Sequence, residues 1–271
     1  MLRLSLLVHS LISLSSARKS DSGTVWATPH DSYSSSIGVL GCKVRDITLS
    51  INCTKANDHQ VNTNRIAYWP YSVDCNNICI ALTYQDRTVH LLRVDQSQGA
   101  YDVSYDAWNY LYTGYSATDK PTAGGPVEMT YSNVDASKCS DLIHTKKSKL
   151  PLSAANSMNF LTSCLDRNES TWVGDNYVLY NILDSICTLG HDETCELDYP
   201  AENQAKCPHT MGVPDELKGE AVVNIRYPTG EKVSAADGKP VDEDGATGLN
   251  SPSGMVLAIV VLLSACLVLA M

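Results

Sequence analysis

Cys75-Asn76-Asn77-Ile78-Cys79-Ile80-Ala81-Leu82-Thr83-Tyr84-Gln85-Asp86-Arg87-Thr88-Val89-His90-Leu91-Leu92-Arg93-Val94-Asp95 decides the fold. Residues 80–84 and 89–94 are short apolar runs rich in strand formers, and Gln85-Asp86-Arg87 between them is a turn. Two such runs at this spacing predict a β-hairpin.

Downstream of Asp95 the chain turns at 96–99 and enters Tyr101-Asp102-Val103-Ser104. Ser104 is a good N-cap for a helix that places Tyr105, Trp108, Leu111 and Tyr112 on one face and stops at Gly114. Val127, Met129 and Tyr131 then alternate with Glu128 and Thr130, the pattern of a half-buried strand leading to Cys139. Upstream, residues 18–32 are polar and expected to begin flexibly, and 37–40 form a strand candidate closed by Cys42.

Beyond Cys139 the texture changes. Residues 140–212 hold four cysteines, a helix candidate at 154–165, a strand candidate at 177–182 and an acidic loop around Asp192-Glu193. They read as a disulfide-stapled α+β extension, with the pairing of its cysteines open. Residues 213–254, rich in Pro, Gly, Asp, Glu and Ser, read as a flexible acidic stalk.

Both ends carry targeting patterns. Residues 1–17 combine Arg3, an apolar stretch and Ser15-Ser16-Ala17, a secretory signal peptide. Residues 255–271 are almost wholly apolar, with no Lys or Arg after them and small residues before them. That is the pattern of a glycosylphosphatidylinositol (GPI) signal, with Gly245 and Asn250 as attachment candidates and an ordinary tail-end membrane helix as the other reading. The expectation is a protein secreted and then held at the outer cell surface by a lipid anchor.

The net charge of −10 argues against a nucleic-acid partner, since neutralising phosphates requires Lys and Arg. Fourteen Tyr against one Phe supply flat faces with hydroxyls, suited to wet recognition surfaces. Ten cysteines in a secreted chain indicate disulfides. Setting aside Cys266 in the tail and Cys53 leaves Cys42, Cys75, Cys79, Cys139, Cys164, Cys187, Cys195 and Cys207. His191 before Cys195 and His209 after Cys207 suggest zinc, but pairing is favoured in an oxidising compartment, so no metal is expected. Asn52-Cys53-Thr54 and Asn168-Glu169-Ser170 match the N-glycosylation pattern.

No phosphate loop, dinucleotide fingerprint, His-Glu-x-x-His or Gly-x-Ser-x-Gly occurs, and no cofactor is expected. The carboxylates Asp95 and Asp102 stand out instead. One ends a strand and the other precedes the helix, so a tight return brings both to one groove. Paired carboxylates flanking a sugar bond are the equipment of glycosidases. Helix capping by Asp102 and turn shaping by Asp95 account for the same spacing.

At these residues the chain resembles the cerato-platanins, small secreted fungal proteins, and more distantly the expansin, barwin and endoglucanase relatives. Ser32-Tyr33-Ser34-Ser35-Ser36-Ile37-Gly38-Val39-Leu40-Gly41-Cys42 is similar to the opening strand and first cysteine of that family. Cys75-Asn76-Asn77-Ile78-Cys79 with 80–84 resembles its Cys-Gly-Thr-Cys and strand. Residues 91–95 and 99–107 resemble its next strand, Asp and helix start, and Asp95 and Asp102 also resemble the two aspartates of expansins. The likeness covers 31–139, with a longer cysteine spacing and no counterpart for 140–212. It implies a mainly β fold, a six-stranded double-psi β-barrel over 24–139 with a short helix. It also implies Cys42–Cys75 and Cys79–Cys139 pairing, and a polysaccharide-binding role on chitin or β-glucan in fungal walls.

Residues 44–60 interrupt the expected run from Cys42-Lys43 into Val61 and carry the odd Cys53. Val44-Arg45, Ala56-Asn57 and Gln60 are encodable by splice-donor, branch and acceptor patterns, so this segment reads as a retained intron, with a glycosylated loop as the other reading.

Two functions follow. In the first, Asp95, Asp102, Tyr101, Trp69 and Tyr68 line a groove that binds polysaccharide or loosens walls without hydrolysis. In the second, the same barrel is an endoglucanase or lytic enzyme, with Asp102 as acid and Asp74 beside Tyr68-Trp69-Pro70 as the second carboxylate. A secreted effector or elicitor is a third class.

Overall fold

The hairpin at 80–94 is one seam of a closed barrel. The computed structural model describes residues 21–30, 61–97, 99–217 and 222–241. Strands β3 (Cys79–Tyr84) and β4 (Arg87–Gln96) pair antiparallel from Cys79↔Leu92 to Tyr84↔Arg87. The two-residue connection puts Gln85 at φ 55, a left-handed turn that matches the twist of the flanking strands. With β1 (Ser22–His30), β2 (Ile66–Trp69), β5 (Tyr101–Ser104) and β6 (Val127–Val134) they close in the order β1-β5-β2-β4-β3-β6. The β1/β5 and β2/β4 pairs are parallel and the rest antiparallel. The fold is therefore mainly β around a closed six-stranded barrel, compatible with the double-psi connection.

Strand β1 corrects the expectation of a flexible start. Val25 and Ala27 are buried at 3% and 0% exposure while Trp26 between them is 61% exposed. Two inward residues suffice here, because β5 and β6 satisfy the backbone of β1 on both sides.

The barrel interior is filled by Val25, Ala27, Ala67, Ile80, Leu82, Leu91, Val103 and Met129. Helix α1 (Tyr105–Thr113) closes it with Tyr105, Trp108 and Leu111 buried, whereas Tyr112 stays 42% exposed. Ser104 occupies the N-cap position but makes no capping bond, since its hydroxyl donates to the Asn64 carbonyl at 2.7 Å. Gly114 ends the helix at φ 85, a conformation that favours glycine. A second core lies between barrel and extension, where Ile66, Tyr68, Leu92 and Val94 meet Leu150, Leu152, Leu161 and Leu179.

The extension contains β7 (Leu150–Ser153), α2 (Met158–Leu165), α3 (Trp172–Asp175), β8 (Tyr177–Ile182) and β9 (Gly190–Cys195), with the strands in one three-stranded sheet. Cys79–Cys139 is the bond the family resemblance implies. The implied Cys42–Cys75 bond is replaced: Cys75 pairs with Cys164, tying the barrel to the extension, because α2 lies against the loop that carries Cys75. Cys195 pairs with Cys207, and Cys187 is also disulfide-bonded.

The stalk is corrected as well. Strands β10 (Val223–Ile225) and β11 (Lys232–Ser234) form a hairpin, and Ile225 and Tyr227 pack into the core around α1. Tyr227 Oη receives the Gly124 N–H at 3.0 Å, and Tyr105 Oη donates to the Pro228 carbonyl at 3.1 Å. Aromatic docking outweighs the linker-like composition of this stretch. The signal peptide, the strand candidate at 37–40, the 44–60 insert with Asn52, Cys42, Gly245 and Asn250, and the 255–271 tail lie outside the described residues. Among the described residues no helix is long and apolar enough to cross a membrane.

Candidate functional site

Strand β2 lies between β4 and β5, and this order sets the geometry of the two aspartates. Tyr68 is the register partner of Asp95 on one side and of Asp102 on the other. Strands about 4.8 Å apart put the two aspartate backbones about 10 Å from each other. Tyr68, 5% exposed, occupies the strand between them, and Asp95 and Asp102 are themselves 6% and 7% exposed. Asp102 Oδ1 accepts a short hydrogen bond from the Thr28 hydroxyl, which also lies 3.2 Å from the Tyr101 carbonyl. Asp95 Oδ1 accepts the N–H of Gln96 at 2.7 Å. Asp102 sits in β5, which runs directly into α1, and does not cap the helix.

The aromatic residues divide into support and surface. Trp69, 2% exposed, stands edge-on to Tyr101 and Tyr131, with ring centroids 5.1 and 5.7 Å apart. Its burial and that of Tyr68 correct their expected part in lining a groove: both rings are consumed in packing and offer no face to a sugar. Tyr101 is half-buried, and burial followed by the neighbouring phenols of Tyr71 and Tyr131 pushes its hydroxyl above the ordinary value. Tyr71, which bonds the Tyr101 hydroxyl, is 53% exposed.

Asp74 is engaged within its own loop and with a cation of the extension. Its Oδ1 accepts the N–H groups of Asn76 and Asn77 at 2.8 and 3.1 Å, shaping a turn. Its Oδ2 lies 3.9 Å from Arg167. The loop bearing Tyr71 is held from beneath by Arg93, 3% exposed, whose guanidinium donates to the Tyr71, Ser72 and Asn77 carbonyls. Burial lowers the Arg93 pKa, and Asp74 opposes that shift.

Sequence reasoning missed Trp26, Thr28, Tyr71 and Arg93. The Val25-Trp26-Ala27 alternation is the signal for Trp26, since a large ring between two small inward residues must point out. Arg93, between Leu92 and Val94, carries the corresponding signal of a charge inside an apolar strand.

A second polar cluster lies in the extension. The rings of His191 and His209 stack with centroids 4.2 Å apart. His191 Nε2 is 3.1 Å from Asp215, and His209 Nδ1 is 2.6 Å from Glu193. Burial raises the Glu193 pKa, but hydrogen bonds from His209 and Asn181 outweigh it and hold the carboxyl down to about 2. Cys195 and Cys207 are bonded to each other and so supply no thiolate to a metal. Among the described residues no group of three or more His, Cys, Asp or Glu is placed to hold a metal ion.

Asn168 is exposed in the turn between α2 and α3. Comparison with protein-family models, curated proteins and solved structures finds no match, so the barrel and the quoted motifs alone carry the family resemblance.

Proposed function

We propose that this chain is a secreted, surface-held protein that binds a neutral cell-wall polysaccharide, chitin or β-glucan, without cleaving it. The observation that carries the reading is Tyr68 between Asp95 and Asp102. Hydrolysis by two carboxylates needs the scissile bond to enter the space between them. Here that space is a paired strand with a buried tyrosine. Asp102 serves as a buried acceptor oriented by Thr28, and Tyr71 beside Tyr101 supplies an exposed aromatic face. The disulfides suit an oxidising compartment, and the exposed Asn168 suits a glycoprotein. The ligand class comes from the cerato-platanin resemblance, as does the placement in a fungal wall, with the GPI signal holding the protein at the membrane.

The test is retention of the purified protein on chitin, β-1,3-glucan and cellulose, with reducing ends assayed in parallel. Retention on at least one matrix with no reducing ends released is expected. Release of new reducing ends would establish the glycan-cleaving alternative.

A further inference from the structure

We infer that the outer face of the β1/β6 ribbon is a binding strip for one extended, uncharged polysaccharide chain, with Trp26 as its stacking platform. The inference rests on the glycan-binding reading and places the ligand on the flank of the barrel, where none of the expected groove residues lies.

The antiparallel register sets Trp26 opposite Glu128, Thr24 opposite Thr130 and Ser22 opposite Ser132. Paired residues share a face, and the inward places between these rows are held by Val25 and Met129. Trp26, Thr24, Glu128 and Thr130 are all exposed. Alternate residues are about 7 Å apart along a strand, so the three rows span about 14 Å. Trp26 at 61% is the most exposed large apolar side chain among the described residues.

Charge selects the occupant. The chain as a whole carries −10, yet two of the three rows bear only hydroxyls, and the third has one carboxylate beside the indole. An anionic chain meets repulsion from Glu128 and from the net charge, and a cationic one, though drawn by the net charge, finds one acid on the strip to pair with. A neutral polyhydroxyl chain matches the strip: its ring face covers the indole, and its hydroxyls exchange hydrogen bonds with the threonines. The strip is continuous with the proposed site, because Thr28, two residues beyond Trp26 on β1, bonds Asp102.

The experiment compares the full secreted protein with Trp26→Ala, Trp26→Phe and Thr24→Val/Thr130→Val on chitin, β-1,3-glucan and cellulose, with melting and sedimentation measured alongside. Trp26→Ala should weaken retention about tenfold at an unchanged melting temperature, with Trp26→Phe restoring most of it and the double valine variant intermediate. Retention of Trp26→Ala within about twofold of the parent overturns the strip and leaves the glycan reading standing. A Trp26→Ala effect confined to self-association in sedimentation also overturns it, in favour of a second copy of this chain. A parent protein retained by no matrix overturns both readings together.

Discussion

Exchanging Asp102 for Asn leaves an oxygen for the Thr28 hydroxyl and removes only the charge. A purely structural acceptor tolerates that change, whereas a ligand-binding carboxylate does not. Asp102→Asn should therefore lose less than about 1 kcal/mol of stability, while Thr28→Val, which strands the buried carboxylate, costs about 1–3 kcal/mol. Polysaccharide retention should fall in Asp102→Asn despite its near-parental melting temperature. Unchanged retention would make Asp102 a fold residue alone. Glu193 supplies a pH signature. Its carboxyl, ordinarily at 4.5, is held to about 2 in the fold. A depressed acid stabilises above its unfolded pKa, and that contribution drains away as pH falls from 4.5 towards 2. The melting-temperature gap between parent and Glu193→Gln should be widest above 4.5 and close below it.

Among the elements, the β10/β11 hairpin gives the sharpest test of a docked rather than a free segment. Gly230 sits at φ +74, and a Cβ there would run into the Ala117 carbonyl oxygen. Gly230→Ala therefore meets both a left-handed backbone and a clash, at a cost of about 1–3 kcal/mol. Limited proteolysis should cut the variant within 222–241 before the barrel, while a free stalk would be cut equally in both proteins. The same hairpin shows why legibility differs between elements. The β3/β4 pair was legible because its partners are joined by the Gln85-Asp86 turn, so local pattern and pairing coincide. Strand β1 was not, since Thr28 finds Asp102 across 74 residues and only Val25 and Ala27 mark its inner face. Tyr227 reaches Gly124 across 103 residues from within a Pro- and Gly-rich stretch, so composition argued against its docking. In the candidate site, the spacing of Asp95 and Asp102 placed one at a strand end and the other ahead of the helix, which is where β4 and β5 carry them. The tyrosine strand between them was not legible, because a parallel pairing leaves no local trace.

At the scale of the whole molecule, Cys75–Cys164 fastens two bodies that also share a core. Its cysteines are 89 residues apart, so opening it frees a long loop, and the double alanine variant should lose about 3–5 kcal/mol. Thermal melting against the Cys195→Ala/Cys207→Ala variant checks the cause. That bond spans 12 residues and should cost less to remove.

The parallel and antiparallel clasp on β1 has a consequence for how the chain is made. Translation delivers β1 among the earliest described segments, yet its pairing partners lie at 101–104 and 127–134. Until those emerge, Val25, Trp26 and Ala27 have no sheet to join, and a nascent chain must be kept from pairing with its neighbours. Barrel closure is then a late, long-range step, of the kind that takes milliseconds to seconds rather than microseconds. Among the described strands β1 is made first, and it is seated only once β5 and β6 have followed.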